Sequence, residues 1–295
     1  MSDPLWQFVK TRKLVVHLGA HKTATTYLQN ALNTKREDLR RAGTALILPR
    51  DLRRGEKAAR ADGAEKMPGV TVQLSALAAD TTTQRIVLSE ENFIGSTGHN
   101  LAQKSLYPGI RRRLSKLPAA LNHPNVTILF SLRDYGPFVS SNVTTALRFG
   151  RMFDTEDLQL AFLLMDRSWI DVIADLRSAF PAAQLKLWRY ENFAQVEQQV
   201  FKEMVGPFRA APQRRANQTL SGRAVAKVQA RLQAGGPDLK PRQIVRRIKR
   251  KFPISDANPT YSIWTPEEAA LLTESYQAHW DEICDAYPAL PLDGG

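Results

Sequence analysis

Short runs of apolar residues recur along this chain, and the gaps between them are long enough for helices. The runs cover residues 13–18, 44–48, 85–89, 126–132 and 184–190. Val, Ile and Leu dominate the first four without polar alternation, which is typical of strands that are covered on both faces. The pattern predicts an α/β fold of three layers, in which helices flank a mostly parallel sheet of about five strands.

Helices are predicted between these runs, at 25–42, 71–80, 104–121, 137–149 and 155–180. A last helix is predicted from Pro266 to about Asp285. Thr265 and Glu268 have the spacing of a capping box there, and proline suits the first helical position. Residues 50–68 and 235–259 are rich in charge, Gly or Pro and are expected to be less regular.

No linker or internal repeat divides the 295 residues. A single domain over 1–295 is therefore expected, with a core at about 13–221 and a basic, helical C-terminal extension at 222–295. The one cysteine, Cys284, excludes an intramolecular disulfide and a cysteine-based metal site. The first residues lack the apolar segment of a signal peptide, and no apolar run has the length of a membrane helix, so a cytoplasmic location is expected.

The charge balance points to anionic partners. Lys and Arg number 41 against 29 Asp and Glu, a net charge of +12. Residues 240–251 hold seven basic side chains and no acidic one, and Ile244, Ile248 and Phe252 give this run an apolar stripe at helical spacing. Three interpretations stay open: a solvated face packed by its stripe, a surface for an anionic membrane or acidic polysaccharide, and a nucleic-acid-binding helix.

The segment after the first predicted strand has the features of an anion-binding loop. Gly19 ends the strand and a helix begins at about Thr25, so backbone N–H groups and the positive end of the helix converge. Lys22 adds a mobile positive charge. Hydroxyl groups come from three threonines, namely Thr23, Thr25 and Thr26. The nucleotide-binding pattern G-x-x-x-x-G-K-[ST] does not match, because Gly19 precedes Lys22 by only three residues and His21 stands before the lysine.

Two further strand ends carry polar residues that suit this chemistry. Arg133 follows the run 126–132 and could bind a phosphate with two hydrogen bonds, and Ser141 follows eight residues later on the next predicted helix. Glu90 and Glu91 follow the run 85–89, where mutual repulsion and burial would raise a carboxyl pKa toward neutrality and suit a general base. A surface salt bridge or an acidic helix cap would explain the same residues.

Histidines are the other candidates for proton transfer. His21 lies in the loop beside Lys22, whereas His17 lies within the first predicted strand and is interpreted as a core residue. His, Asp and Glu residues show no metal-ligand spacing, so no metal is expected.

The loop sequence G-x-x-K-T-x-T-T-x-L-Q resembles the phosphosulfate loop of sulfotransferases that use 3′-phosphoadenosine 5′-phosphosulfate (PAPS). The similarity is greatest to bacterial members, which are related to carbohydrate sulfotransferases and have a fold like that of P-loop nucleoside triphosphate hydrolases. It implies that Lys22 contacts the bridging oxygen and sulfonate of PAPS. It also implies that the loop from Gly19 to Thr26 surrounds the 5′-phosphate, with Thr23, Thr25 and Thr26 as ligands. Ala24 replaces the usual glycine, which is tolerable if its φ is negative.

The same resemblance extends to about Ser221. It implies that Arg133 and Ser141 bind the 3′-phosphate, although Tyr135 stands where the family often has proline. Residues 214–221 resemble an R-x-N-x-S-L-S segment, which implies that Arg215 and Asn217 close over the nucleotide. Residues 89–93 resemble S-[SE]-E-N-[FL], which implies Glu91 as the base, with Glu90 as the fallback. Residues 187–193 resemble the strand end Y-E-[ND]-[FL] of the same family and are interpreted as structural.

The expected activity is transfer of a sulfuryl group from PAPS to a hydroxyl or amine, releasing 3′-phosphoadenosine 5′-phosphate (PAP). The acceptor stays open among a glycan, a lipid headgroup and a small alcohol. A peripheral contact with the anionic inner membrane through 240–251 is considered, and no specific nucleic acid is expected. Two alternatives remain: a non-enzymatic protein that binds an anionic surface or nucleic acid through 240–251, and a nucleotide kinase with a degenerate P-loop.

Overall fold

A single parallel sheet forms the centre of the molecule. The computed structural model describes residues 4–53, 68–211, 219–236 and 240–292. The sheet has the order β2-β3-β1-β4-β5, and every neighbouring pair is parallel. The strands are β1 (Lys13–Gly19), β2 (Thr44–Ile47), β3 (Arg85–Ser89), β4 (Val126–Leu132) and β5 (Gln184–Arg189). The predicted fold class is confirmed, and each strand lies within one residue of its predicted bounds.

The strand order brings three chemically important strand ends together. β1 lies between β3 and β4, with His17 in register with Ser89 and Gly19 in register with Phe130. Every residue of β4 is buried, as expected for a strand covered on both faces. Because the strands are parallel, the loops that follow β3, β1 and β4 emerge at the same edge of the sheet, where sites form in folds of this class.

Helices surround the sheet. In the order of the chain they are α1 (Pro4–Thr11), α2 (Thr25–Thr34), α3 (Arg36–Arg41), α4 (Pro68–Ala79), α5 (Thr97–Gln103), α6 (Ile110–Leu114), α7 (Tyr135–Leu147), α8 (Thr155–Leu163), α9 (Trp169–Ala179), α10 (Phe193–Val205), α11 (Gly222–Gln233), α12 (Pro241–Lys251) and α13 (Pro266–Ala286). Short 3-10 turns occur at Glu91–Phe93, Ala119–Leu121 and Tyr190–Asn192. The predicted capping box of Thr265 and Glu268 is present at the start of α13.

Three of the helix predictions are wrong in their extent. The helix predicted at 104–121 is reduced to α6 and one 3-10 turn, because Lys104 and Tyr107 adopt positive φ angles and prolines follow. The helix predicted at 155–180 is two helices, each with its own cap, at Asp154 and Ser168. The helix predicted at 25–42 breaks at Lys35.

The C-terminal segment packs on the rest of the protein in two ways. Trp280 and Tyr276 of α13 are buried in the main apolar cluster of the sheet. Val245 of α12 packs in a separate cluster with residues of α11 and with Leu147 of α7. The expected irregular segment 235–259 therefore contains a helix, whose apolar stripe is covered by the protein itself. Most of the other segment expected to be irregular, 54–67, lies outside the described residues.

None of the helices within the described ranges combines the length and the apolar character that crossing a membrane requires.

Candidate anion-binding site

The loop between β1 and α2 has the backbone shape of an anion-binding nest. Gly19, Lys22 and Ala24 have φ angles of 80°, 67° and 63°, and alternation of left- and right-handed residues turns successive N–H groups toward a common point. In the described part of the chain, the N–H groups of Lys22, Thr23 and Ala24 donate to no acceptor. Donors at the start of a helix that have no protein partner are available to an anion.

Close packing explains the glycine that opens this loop. A Cβ atom at Gly19 would lie 3.0 Å from the Thr25 side chain and 3.0 Å from Cβ of Glu91. The positive φ of Gly19 adds a backbone reason for the same residue. The contact also shows that Glu91, which follows β3, lies against the loop.

The loop threonines have different surroundings. Thr23 is fully buried, and its hydroxyl donates to the carbonyl oxygen of Ala20 at 2.7 Å. This bond closes the loop on itself, so Thr23 offers an anion its N–H group. Thr25 is also buried, with its methyl group toward Gly19, while Thr26 is partly exposed on the first turn of α2.

Ala24 does not meet the condition of a negative φ under which its methyl group would be tolerable. It precedes the first residue of α2 with φ 63° and ψ 12°, in the left-handed region. A glycine would occupy this conformation without steric cost, whereas an alanine is strained there by about 1–2 kcal/mol. Ala24 is therefore a position in the loop that glycine would suit better.

Arg133 lies directly against the loop. Its Nη1 donates to the carbonyl oxygen of Lys22 at 2.8 Å, and its guanidinium carbon lies 4.8 Å from the centre of the Tyr190 ring. Its Nε is buried and has no hydrogen-bond partner among the described residues. A buried guanidinium with a vacant donor, two strands from Glu91, is suited to an anion.

Lys22 is a cation held among other cations. Burial, together with Arg148 and Arg133, lowers the pKa of Lys22 to about 8, while Glu91 acts in the opposite direction. Within the described ranges, no ion pair joins Lys22 to a carboxylate. Positive charges that lie close together are stabilised when an anion binds between them.

The basic helix contributes to this cluster of cations. Arg148 follows the last residue of α7, and its charge together with burial lowers the pKa of Lys249 on α12. The helix is held there by contact of Pro241 with Gly150 and by Arg242, whose guanidinium carbon is 4.9 Å from the centre of the Phe149 ring. The approach of Lys249 to Arg148 had no signal in the sequence.

The two acidic residues after β3 have different partners. One oxygen of Glu91 accepts from Nε2 of Gln29 at 3.1 Å, and the same amide donates to Ser89 at 3.2 Å. Glu90 instead accepts from the N–H of Asn92 at 3.0 Å and from its side-chain amide. Burial and the charge of Glu91 raise the pKa of Glu90. Gln29 belongs to the loop pattern, yet its role in holding Glu91 was missed because it depends on contact between β3 and α2.

Both histidines are neutral because they are buried. Burial lowers the pKa of His17 to about 4, and its Nδ1 lies 2.9 Å from Oγ of Ser89, as expected for a core residue. Burial also lowers the pKa of His21 to about 4. Nδ1 of His21 lies 2.9 Å from the hydroxyl of Tyr107. Its ring nitrogens are therefore engaged within the protein.

Ser141 and the third predicted segment are placed only in part. Ser141 lies on α7 with its side chain partly exposed, and no described residue bonds its hydroxyl. Arg215 and Asn217 lie outside the described residues. Thr219, just after them, is described, and its hydroxyl lies 3.1 Å from that of Thr144. Thr219 therefore meets α7 one turn after Ser141.

Comparison with known proteins does not classify the chain. A scan against models of protein families finds no match, and a search of curated protein sequences finds none either.

Proposed function

We propose that this protein is a sulfotransferase that moves a sulfuryl group from PAPS to a hydroxyl or amine of an acceptor. The observation that carries the proposal is the contact between Arg133 and the loop at Lys22, at the carboxyl ends of two adjacent strands. The loop has unpaired N–H groups, and Arg133 has a buried, unpaired Nε. These groups fit a donor with two anionic ends, of the kind that the sequence resemblance implies.

In this proposal two groups of residues bind the two anionic ends of the donor. The loop N–H groups and Lys22 bind the phosphosulfate, and Lys22 stabilises the charge that develops on the leaving phosphate. Arg133 and Ser141 bind the phosphate at the other end of the donor. PAPS supplies the activated sulfuryl group, and the protein supplies position and positive charge.

Glu91 is the base that the contacts favour. It lies against Gly19, its charge acts on Lys22, and Gln29 holds only one of its two oxygens. Glu90 is committed to Asn92, and Nδ1 of His21 faces Tyr107. A base at Glu91 would accept the proton of the incoming hydroxyl or amine as the bond to sulfur forms.

The first test is ligand binding followed by thermal unfolding. PAP without magnesium should raise the unfolding temperature by several degrees at a hundredfold excess over Kd. Lys22→Met and Arg133→Ala should each abolish most of this rise. The matched controls are Lys202→Met on α10 and Arg112→Ala on α6, two exposed residues away from the loop, and both should keep it.

The same experiment separates the alternatives. Stabilisation by ATP with magnesium but not by PAP would contradict the proposal and favour a nucleotide kinase. Binding to neither, with salt-sensitive binding to DNA or anionic vesicles, would favour a non-enzymatic protein that acts through α12. If PAP binds, labelled PAPS offered to glycans, lipids and small alcohols identifies the acceptor class.

A further inference from the structure

Tyr107 has a backbone conformation that is unfavourable for a residue with a large side chain. It lies between α5 and α6 with φ 46° and is fully buried. A positive φ in a bulky residue is a genuine outlier that persists only where the surroundings impose it. The N–H of Tyr107 donates to Oδ1 of Asn100 at 3.2 Å. Its ring covers Gly95, where a Cβ atom would lie 2.9 Å from the ring.

The hydroxyl of the Tyr107 ring lies against the anion-binding loop. The oxygen of Tyr107 accepts from the N–H of His21 at 3.0 Å and lies 2.9 Å from Nδ1 of the same residue. Within the described ranges the hydroxyl has no other partner, so its hydrogen is satisfied only by donation to Nδ1. Nε2 then carries the imidazole proton. Consistent with this tautomer, Nε2 lies 3.4 Å from Oδ1 of Asn92.

Three successive loop residues are thereby attached to residues outside the loop. The N–H of Ala20 donates to Ser131 of β4 at 2.9 Å. His21 is bonded to Tyr107, and the carbonyl of Lys22 accepts from Arg133. These bonds fix the path of the chain immediately before the unpaired N–H groups. The attachment at His21 is the only one of the three that uses two bonds to one hydroxyl.

We infer that Tyr107 is a positioning residue of the loop: its hydroxyl holds the backbone and ring of His21 together, fixes the Nε2–H tautomer and presets the N–H groups of the loop for an anion. The expected effect on PAP binding rests on the proposed function, whereas the two hydrogen bonds between Tyr107 and His21 do not. If Tyr107 were only a core aromatic residue, loss of its hydroxyl would leave the imidazole of His21 unchanged.

The test is Tyr107→Phe, read by ¹⁵N NMR of the His21 imidazole at pH 7. The wild type should show the Nε2–H tautomer alone, and the variant should show a mixture. The pKa of His21 should rise in the variant, since a bond to the lone pair of the neutral ring is lost. Other charges that act on this ring, those of Glu91, Lys22 and Arg113, are unchanged. The Kd for PAP should increase about tenfold.

Tyr135→Phe is a closely matched control. The Tyr135 hydroxyl also accepts a backbone N–H, that of Trp169 at 3.0 Å, and also lies against a histidine, 2.8 Å from Nδ1 of His279. These two partners of the Tyr135 hydroxyl both lie outside the loop. We expect Tyr135→Phe to change the spectrum of His279 and leave that of His21 unchanged.

The outcomes are distinguishable. A His21 tautomer in Tyr107→Phe identical to that in Tyr135→Phe would overturn the inference. If the wild type does not bind PAP, the proposed function fails. The NMR comparison still tests whether the Tyr107 hydroxyl positions His21. If Tyr107→Phe does not fold, the wild-type spectrum is sufficient, because an Nδ1–H tautomer at His21 contradicts the arrangement.

Discussion

At the scale of a single residue, Ala24 shows backbone strain where α2 begins. Its φ of 63° places it in the left-handed region, which disfavours a residue with a Cβ atom. We predict that Ala24→Gly stabilises the protein by about 0.5–1 kcal/mol, because relief of the strain exceeds the entropy that glycine adds to the unfolded chain. Urea unfolding should show a higher midpoint at an unchanged slope.

Ala31→Gly is the control for this substitution. Ala31 is buried within the same helix, where glycine costs about 1 kcal/mol relative to alanine. The two variants should therefore change stability in opposite directions. A loss of stability in both would show that Ala24 is not strained.

At the scale of elements, strands β1 to β4 were predictable because each is a compact apolar run whose residues are almost all buried. The site was predictable as far as it consists of residues at strand ends, such as Lys22 and Arg133. The helix boundaries were less predictable from the sequence. Tyr107, for example, adopts its positive φ because of contacts with Asn100 and Gly95. No local sequence pattern indicates such contacts. The same reason hid the link between Gln29 and Glu91.

Glu90 and Glu91 are neighbours in the chain after β3, but they have different hydrogen-bond partners. Glu91 is held at the loop by Gln29, while Glu90 caps the turn through Asn92. We predict that Glu91→Gln lowers turnover of PAPS with its acceptor by 10²–10⁴-fold and leaves PAP binding nearly unchanged, because the amide keeps the shape but cannot accept the proton. Glu90→Gln, the same change one residue earlier, should lower turnover much less. The reverse order would assign the base to Glu90.

At the scale of the whole molecule, the cation cluster is built from parts far apart in the chain. Lys22 comes from the first loop, Arg133 from β4, Arg148 from the end of α7 and Lys249 from α12. Bringing them together opposes folding, because like charges repel and lose water. A bound anion would offset this repulsion. A conflict of this kind between folding stability and function is common at binding sites.

Lys22→Met tests this conflict directly. The pKa of Lys22 is about 8 in the folded protein against an ordinary value of 10.5. Between these values the unfolded chain binds more protons, so the free energy of unfolding of the wild type should rise as the pH increases from 8 to 10.5. Below pH 8 the full cost of the charged lysine is present, so Lys22→Met should be more stable than the wild type at pH 7, on the order of 2 kcal/mol.

Binding should change in the opposite sense. As the pH rises through 8, the Lys22 ammonium loses its proton, and the affinity for PAP should fall while the protein without ligand becomes more stable. Lys22→Met should show neither trend, and Lys202→Met should show both. Urea unfolding and PAP titration at pH 7 and 9 measure the two quantities on the same samples. A wild type whose stability does not rise over this range would show that Lys22 carries no depressed pKa. An affinity for PAP that does not fall would show that the charge of Lys22 is not a source of anion binding.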